Sequence, residues 1–222
     1  MKEAAPVIAI DGPSASGKGT IASRVADRFG FHYLESGALY RLVGLLSLRT
    51  GERDEAKLAQ LARGMPLSFH NERIILSDHD VTEAIRSEAC AVRASEVARF
   101  PAVRAALLQR QRAFREPPGL VADGRDMGTV VFPDARLKVF LTASPEVRAE
   151  RRYKQLKEKG INANLRALSR DLQERDARDA HRPVAPLVPA ADSQVLDSTA
   201  LSIEAVAERI LKLYRERTSG LR

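Results

Sequence analysis

Lys18 stands in a run of small residues whose types and spacing suit one kind of chemistry: Gly12-Pro13-Ser14-Ala15-Ser16-Gly17-Lys18-Gly19-Thr20. Small side chains let successive backbone N–H groups converge on phosphate oxygens, and a lysine at this place reaches the β- and γ-phosphates. The run follows the apolar stretch Val7-Ile8-Ala9-Ile10, which reads as a buried strand, and precedes Ile21-Ala22-Ser23-Arg24-Val25-Ala26, which reads as a helix. The N-terminus of that helix adds partial positive charge to the loop. The expectation is a nucleoside triphosphate site. Compared with the general pattern, Gly19 intervenes between lysine and hydroxyl, so Thr20 comes one residue late. Thr20 lies near the expected metal, but no side chain is assigned as a direct metal ligand.

Three further segments carry candidate chemistry. Asp123-Gly124-Arg125-Asp126-Met127-Gly128-Thr129 follows the apolar run Leu120–Ala122 and is expected at the same sheet edge as the loop. An acid at a strand end beside a phosphate loop holds Mg²⁺ directly or through water. Ser36-Gly37-Ala38-Leu39-Tyr40-Arg41 places Ser36 to cap a helix and Arg41 one turn in. Arg148, Arg151, Arg152, Arg170, Arg175, Arg178 and Arg182 are interleaved with Asp171, Asp176 and Asp179. That pattern fits a salt-bridged exposed helix. It also fits an arginine-bearing lid that neutralises charge on a moving phosphoryl group.

The elements that must position these residues alternate. Strands are expected at Val7–Ile10, Phe31–Leu34, Leu120–Ala122, Leu137–Leu141 and Gln194–Leu196, several of them too apolar for one-sided burial. Helices follow most of them, with Ser144-Pro145 and Ser202 as start signals. The fold class is α/β: a doubly wound, parallel five-stranded sheet with helices on both faces. From about residue 52 to 92 the alternation breaks. There Leu67–His70, Arg73–Leu76 and His79–Val81 read as short antiparallel strands of a small inserted subdomain. Helix resumes over about 94–115, with Pro101 bending or dividing it.

Composition narrows the partners. The chain has 222 residues, 44% of them hydrophobic, which suits one large domain or a core with an insert. A net charge of +7 fits either a nucleic-acid face or a cleft gripping phosphorylated ligands. Aromatics are only 5% and do not interleave with the basic residues, which counts against nucleic acid. An Asn-Lys-x-Asp guanine motif is missing, which counts against a switch GTPase. Cys90 is the single cysteine, so a reducing, cytoplasmic setting is expected, without signal peptide or membrane span. The four histidines show no metal-ligand spacing.

Taken together, the Gly-Lys-Gly-Thr ending of the loop, Ser36-Gly37-Ala38, the stretch Ala122–Pro133 (ADGRDMGTVVFP) and the stretch Arg182–Asp192 (RPVAPLVPAAD) resemble the bacterial cytidylate kinase family. The resemblance runs from about Pro6 to Tyr214; Glu35 departs from it, standing where the family usually has aspartate. It implies a P-loop kinase with core residues 1–51, 93–148 and 183–222, a monophosphate-binding insert at about 52–92 and a lid at about 149–182. It implies transfer of the ATP γ-phosphoryl group to CMP or dCMP with Mg²⁺, by a monomer. Under it, Lys18 and the residues Gly12–Thr20 hold ATP, and Lys18, Arg125, Arg151 and Arg182 serve catalysis. Ser95, Arg104 and Asp126 fall on the cytosine contacts. Arg41, Arg125 and Arg182 fall on the CMP-phosphate ligands, with Ser36 beside them, and Arg175 and Asp179 on the pentose contacts. Kinases for adenylate or shikimate share the loop but not the two long stretches.

Overall fold

The structure, a computed structural model, describes residues 4–70, 73–158 and 160–219. The chain forms two compact units, Met1–Leu34 with Phe114–Arg222 and Glu35–Ala113.

The first unit is built on a five-stranded sheet. Its strands are β1 (Val7–Asp11), β2 (His32–Glu35), β6 (Leu120–Gly124), β7 (Leu137–Thr142) and β8 (Gln194–Asp197), in the order β2-β6-β1-β7-β8. The β1–β6, β1–β7 and β7–β8 pairs are parallel. All five expected strands form, four ending one residue later than expected and β6 two residues later. Val7, Ile8, Ala9 and Ile10 are fully buried, so both faces of β1 are covered, as an unbroken apolar run requires. On one face, Ile8, Ile10, Val121, Val139 and Leu141 pack against Ile21 and Val25 of α1 (Lys18–Phe29) and Val206, Ile210 and Tyr214 of α8 (Ile203–Ser219). Ser202 caps α8, its Oγ accepting from the Ala205 N–H at 3.1 Å. Ser144 does the same for α6 (Pro145–Glu158), accepting from Val147 at 3.3 Å with Pro145 as first helical residue. The helix α7 (Leu165–Ala180) packs against α6.

The second unit contains α2 (Ser36–Thr50), α3 (Glu55–Gly64), α4 (Glu88–Val97) and α5 (Pro101–Arg112). It also contains an antiparallel sheet of β3 (Leu67–His70), β4 (Arg73–Leu76) and β5 (His79–Asp80). The three short strands of the expected insert are therefore present, but the compact unit around them also takes in α2, α4 and α5. Pro101 divides the expected helix and opens α5. The first half starts earlier than residue 94, at Glu88, because the Ser87 side chain accepts from the Cys90 N–H and fixes its N-terminus.

Ser36 corrects one expectation. It is the first residue of α2, and the cap position is Glu35, which makes no side-chain cap hydrogen bond. The strand β2 runs into α2 without an intervening loop, so the serine that would have capped the helix lies inside it, buried.

Candidate active site

At the C-terminal end of β1 the backbone must turn sharply enough to present its N–H groups. Gly12 is required there by close approach, since a Cβ would lie 2.1 Å from the Leu141 carbonyl oxygen. Gly17 has φ +91° and leads directly into α1, whose first residue is Lys18. Between them Ala15 holds φ +58°, a left-handed conformation in a residue with a Cβ. Such a residue costs about 1–2 kcal/mol, partly offset by the freer unfolded chain of glycine. Ala15→Gly is accordingly expected to stabilise the fold by about 0.5–1 kcal/mol, raising Tm by roughly 1–4 °C in thermal unfolding. A lowered Tm would show that the strain is not there.

The loop is held by three arginines from outside it. Arg125 donates through Nη2 to Ser14 Oγ at 2.8 Å and through Nε to Asp179 Oδ2 at 2.8 Å. Arg148 donates to the Ser14 carbonyl at 3.2 Å and pairs with Asp176. Arg151 donates to the Ser16 carbonyl at 3.1 Å and to both the hydroxyl and the carbonyl of Ser198. Asp176 and Asp179 lie three residues apart on α7, hence on one face of it. That face meets two arginines that both grip Ser14. The arginine–aspartate alternation is therefore not uniformly a solvated helix surface. Arg178–Glu174 fits that description, while Arg148 is buried and reaches from α6 to α7.

Electrostatics in this pocket favour an anion. Lys18 Nζ donates to the Pro13 carbonyl at 3.1 Å. Burial pushes its ammonium down to about 7, Arg125 and Arg175 add to the effect, and Asp123 and Asp179 oppose it. Burial works against ionised Asp179, yet Arg125, Arg175 and Arg182 together hold its carboxyl below the usual range. Arg182 is itself buried and donates to the Ala185 carbonyl at 2.7 Å. The structure thus brings Lys18, Arg125, Arg175, Asp179 and Arg182 together around the loop. Ser16 Oγ is buried there without a hydrogen-bond partner among the described residues.

Asp123, at the end of β6, accepts from Tyr33 Oη at 3.1 Å through one carboxylate oxygen. The other oxygen borders the space beside Gly19, 3.9 Å from where a Cβ would stand. Thr20 is exposed. Among the described residues no cluster of three or more His, Cys, Asp or Glu side chains could hold a metal by itself. A single carboxylate beside a phosphate loop does fit Mg²⁺, which keeps waters and takes phosphate oxygens as its main ligands.

Two functional positions escape a reading of the sequence. Tyr33, which orients Asp123, is one. Asp11 is the other: buried, it accepts from the Met127 and Gly128 N–H groups, each at 2.8 Å. Burial raises its carboxyl to about 6 against the pull of those two N–H donors, with Asp126 raising it further and Arg125 lowering it. The one signal for Asp11 was an acid closing an otherwise apolar strand. Asp126 is buried, and its carbonyl accepts from Val130 and Val131 as the π-helical turn Met127–Val131 begins.

The second unit carries the other candidates. Arg41 Nη1 donates to the Ile85 carbonyl at 3.0 Å, and Cys90 Sγ donates to the Arg41 carbonyl. Arg104 is buried, donates to the Ala98 carbonyl at 3.2 Å and places its guanidinium 5.5 Å from the Tyr40 ring centroid. Ser95 is buried on α4, and its hydroxyl has no hydrogen-bond partner among the described residues.

Comparison with known proteins agrees across nearly the whole chain. Residues 8–216 match the family model described as cytidylate kinase. A cytidylate kinase of Bordetella bronchiseptica is 58% identical over 214 residues, covering 96% of this chain and 96% of its own. One from Burkholderia pseudomallei is 59% identical over 213 residues, covering 95% and 93%. Among solved structures, a gluconokinase from Sinorhizobium meliloti aligns with a TM-score of 0.52 at 15% identity, covering 99% of this chain and 97% of that one, which speaks for the fold alone.

Proposed function

The chain belongs to the cytidylate kinase family, and on that premise we propose how its residues divide the work of phosphorylating CMP or dCMP with ATP. The observation that carries the activity is the family match over residues 8–216, with relatives near 58% identity along the full length. An acceptor phosphate oxygen attacks the γ-phosphorus, the new P–O bond forms as the bond to the β-bridging oxygen breaks, and ADP leaves with that electron pair. Such a transfer needs positioning and charge stabilisation more than covalent help from the protein.

The residues Gly12–Thr20 hold the ATP phosphates by backbone N–H groups, and Lys18 carries the charge that follows the phosphoryl group. Arg125, Arg182 and Arg151 complete the catalytic set, Arg151 by way of the Ser16 carbonyl that it grips. Asp123 beside Gly19 would hold Mg²⁺ through water, and the ion, when bound with ATP, would supply neutralising charge at the phosphate oxygens. The acceptor groups are Ser36, Arg41, Ser95, Arg104, Arg125, Asp126, Arg175, Asp179 and Arg182. The unpartnered Ser95 hydroxyl supports a role for it with ligand, since an unmade buried hydrogen bond costs ~1–3 kcal/mol. Cytosine offers a donor amine and an acceptor edge, to which a carboxylate and a guanidinium are complementary. A cytoplasmic enzyme fits the single cysteine, and a monomer is what the family resemblance implies. Among the described residues no helix is long and apolar enough to cross a membrane.

A coupled assay with ATP and each of CMP, dCMP, UMP, AMP and shikimate tests the activity; no turnover of CMP or dCMP would overturn it. Arg104→Met is expected to lower kcat/KM for CMP at least ~10-fold more than for UMP, the scale of one base-reading hydrogen bond. Equal losses for both would remove Arg104 from base recognition. A further expectation concerns protons. With Lys18 near 7 in the free enzyme, it is mostly neutral at pH 8, and bound phosphates favour its charged form. ATP binding at pH 8 is therefore expected to take up close to one proton, seen calorimetrically as a dependence of binding heat on buffer ionisation enthalpy. Lys18→Arg should abolish the uptake; equal heats across buffers for the unaltered protein would contradict the assignment.

A further inference from the structure

Asp11 belongs to none of the roles above, yet its carboxylate is buried at the end of β1 and spends both oxygens on the backbone of one turn. Oδ1 accepts from Met127 N–H and Oδ2 from Gly128 N–H, each at 2.8 Å. Those two residues directly follow Arg125 and Asp126, the pair assigned to the acceptor phosphate and base. The same turn is closed from within, where the Asp126 carbonyl accepts from Val130 and Val131 at 2.9 and 3.1 Å and the Met127 carbonyl from Phe132 at 2.7 Å. On a further side it rests on the aliphatic stem of Lys138, whose Cγ and Cδ lie 3.2 Å from where a Gly128 Cβ would stand. Lys138 is buried on β7 and anchored at its far end by Asp192, 3.0 Å away.

We infer that Asp11 is a positioning residue for acceptor recognition: its carboxylate fork sets the place of the Met127–Gly128 turn and so aims Arg125 and Asp126. The argument is one of valence. An ionised carboxylate accepts from two adjacent N–H groups at once, whereas an asparagine keeps one acceptor and turns an NH₂ group toward the second N–H. Two donors then face each other in a buried space, and the turn has to shift. The Asp11 carboxylate bonds go to Met127 and Gly128, so the shift falls first on the turn that carries the acceptor groups and reaches the loop only through the Arg125 contact with Ser14.

This inference rests on the reading of Arg125 and Asp126 as acceptor groups, and the experiment separates the two. Asp11→Asn is expected to raise the KM for CMP about 10-fold or more, on the scale of losing a charge-assisted hydrogen bond, while the KM for ATP changes less than about 3-fold. The preference for CMP over UMP should fall by a similar factor. Gly128→Ala crowds the same turn from the Lys138 side while leaving the Asp11 carboxylate chemically unaltered, and it should give the same split, so the inference stays open to disproof even if Asp11→Asn does not fold. Equal rises in both KM values, or an unchanged CMP KM in the folded variants, would overturn the role of Asp11. Asp126→Asn serves as the control for the underlying reading. If it leaves the CMP preference intact, base recognition by Asp126 fails, and the KM split alone then decides for or against Asp11.

Discussion

Lys18→Ala is expected to lower kcat by at least ~10²-fold with little change in the KM for CMP, the scale of losing one charge contact made in the transition state. Lys18 opens α1, so its stem is fixed by the helix and its ammonium leans back over the loop to the Pro13 carbonyl. Phosphoryl transfer spreads negative charge over the γ-phosphoryl oxygens and the β-bridging oxygen, and a cation already oriented there costs no reorganisation at the moment of reaction.

The stability of the same variant distinguishes this account from simple misfolding. Burial holds the Lys18 pKa below its usual value, so the free enzyme binds that proton less tightly than the unfolded chain does. Charged Lys18 therefore costs the free fold stability, a cost that grows as pH falls from the unfolded pKa toward about 7. Alanine removes it. The variant should thus have an unchanged or higher Tm near pH 7 without nucleotide, together with the large loss in turnover. A folded variant with near-normal turnover would remove Lys18 from the mechanism, and a variant that loses both Tm and turnover would make the lysine structural.

Much of the candidate site's framework is legible in the sequence, for physical reasons that particular residues show. Val7–Ile10 announces a two-sided buried strand because no polar residue interrupts it, and the loop after it follows from local backbone requirements. Pro101 marks the start of α5 because a proline's fixed φ and missing N–H suit only a first turn. What stayed hidden depends on partners distant in sequence. Arg148 and Arg178 look alike along the chain, yet one crosses to another helix and holds the Ser14 carbonyl while the other pairs within its own. Asp11 and Tyr33 act through groups more than eighty residues away, which no local pattern encodes. Ser36 misled because a cap is defined by where the strand stops, and β2 stops one residue later than its apolar run.

Arg125→Met should strike stability and activity together, and by more than any other single change around the loop. The Arg125 side chain is 16% exposed and that of Asp179 only 6%, so the pair is largely removed from solvent. Removing one partner of a buried pair leaves an uncompensated charge, typically at ~3–5 kcal/mol. Arg175 and Arg182 still face Asp179, which places the expected loss near the lower bound, about 3 kcal/mol or roughly 6–12 °C in Tm. The sign of the pH dependence follows from the same pair. The Asp179 pKa is depressed in the fold, so its contribution is present above the unfolded carboxyl pKa and is lost as pH falls through the folded one. In Arg125→Met that contribution shrinks, and the difference in Tm between the two proteins should be large at pH 7 and narrow at pH 3. Adding Asp179→Asn to Arg125→Met removes the stranded charge and should restore a good part of the lost Tm while leaving turnover low, because the guanidinium that seats on Ser14, and to which we assign the catalytic role, is still missing. Such a cycle separates the two roles: recovery of Tm without recovery of kcat assigns the arginine to chemistry as well as to the fold, whereas recovery of both would make it a structural partner of Asp179 alone.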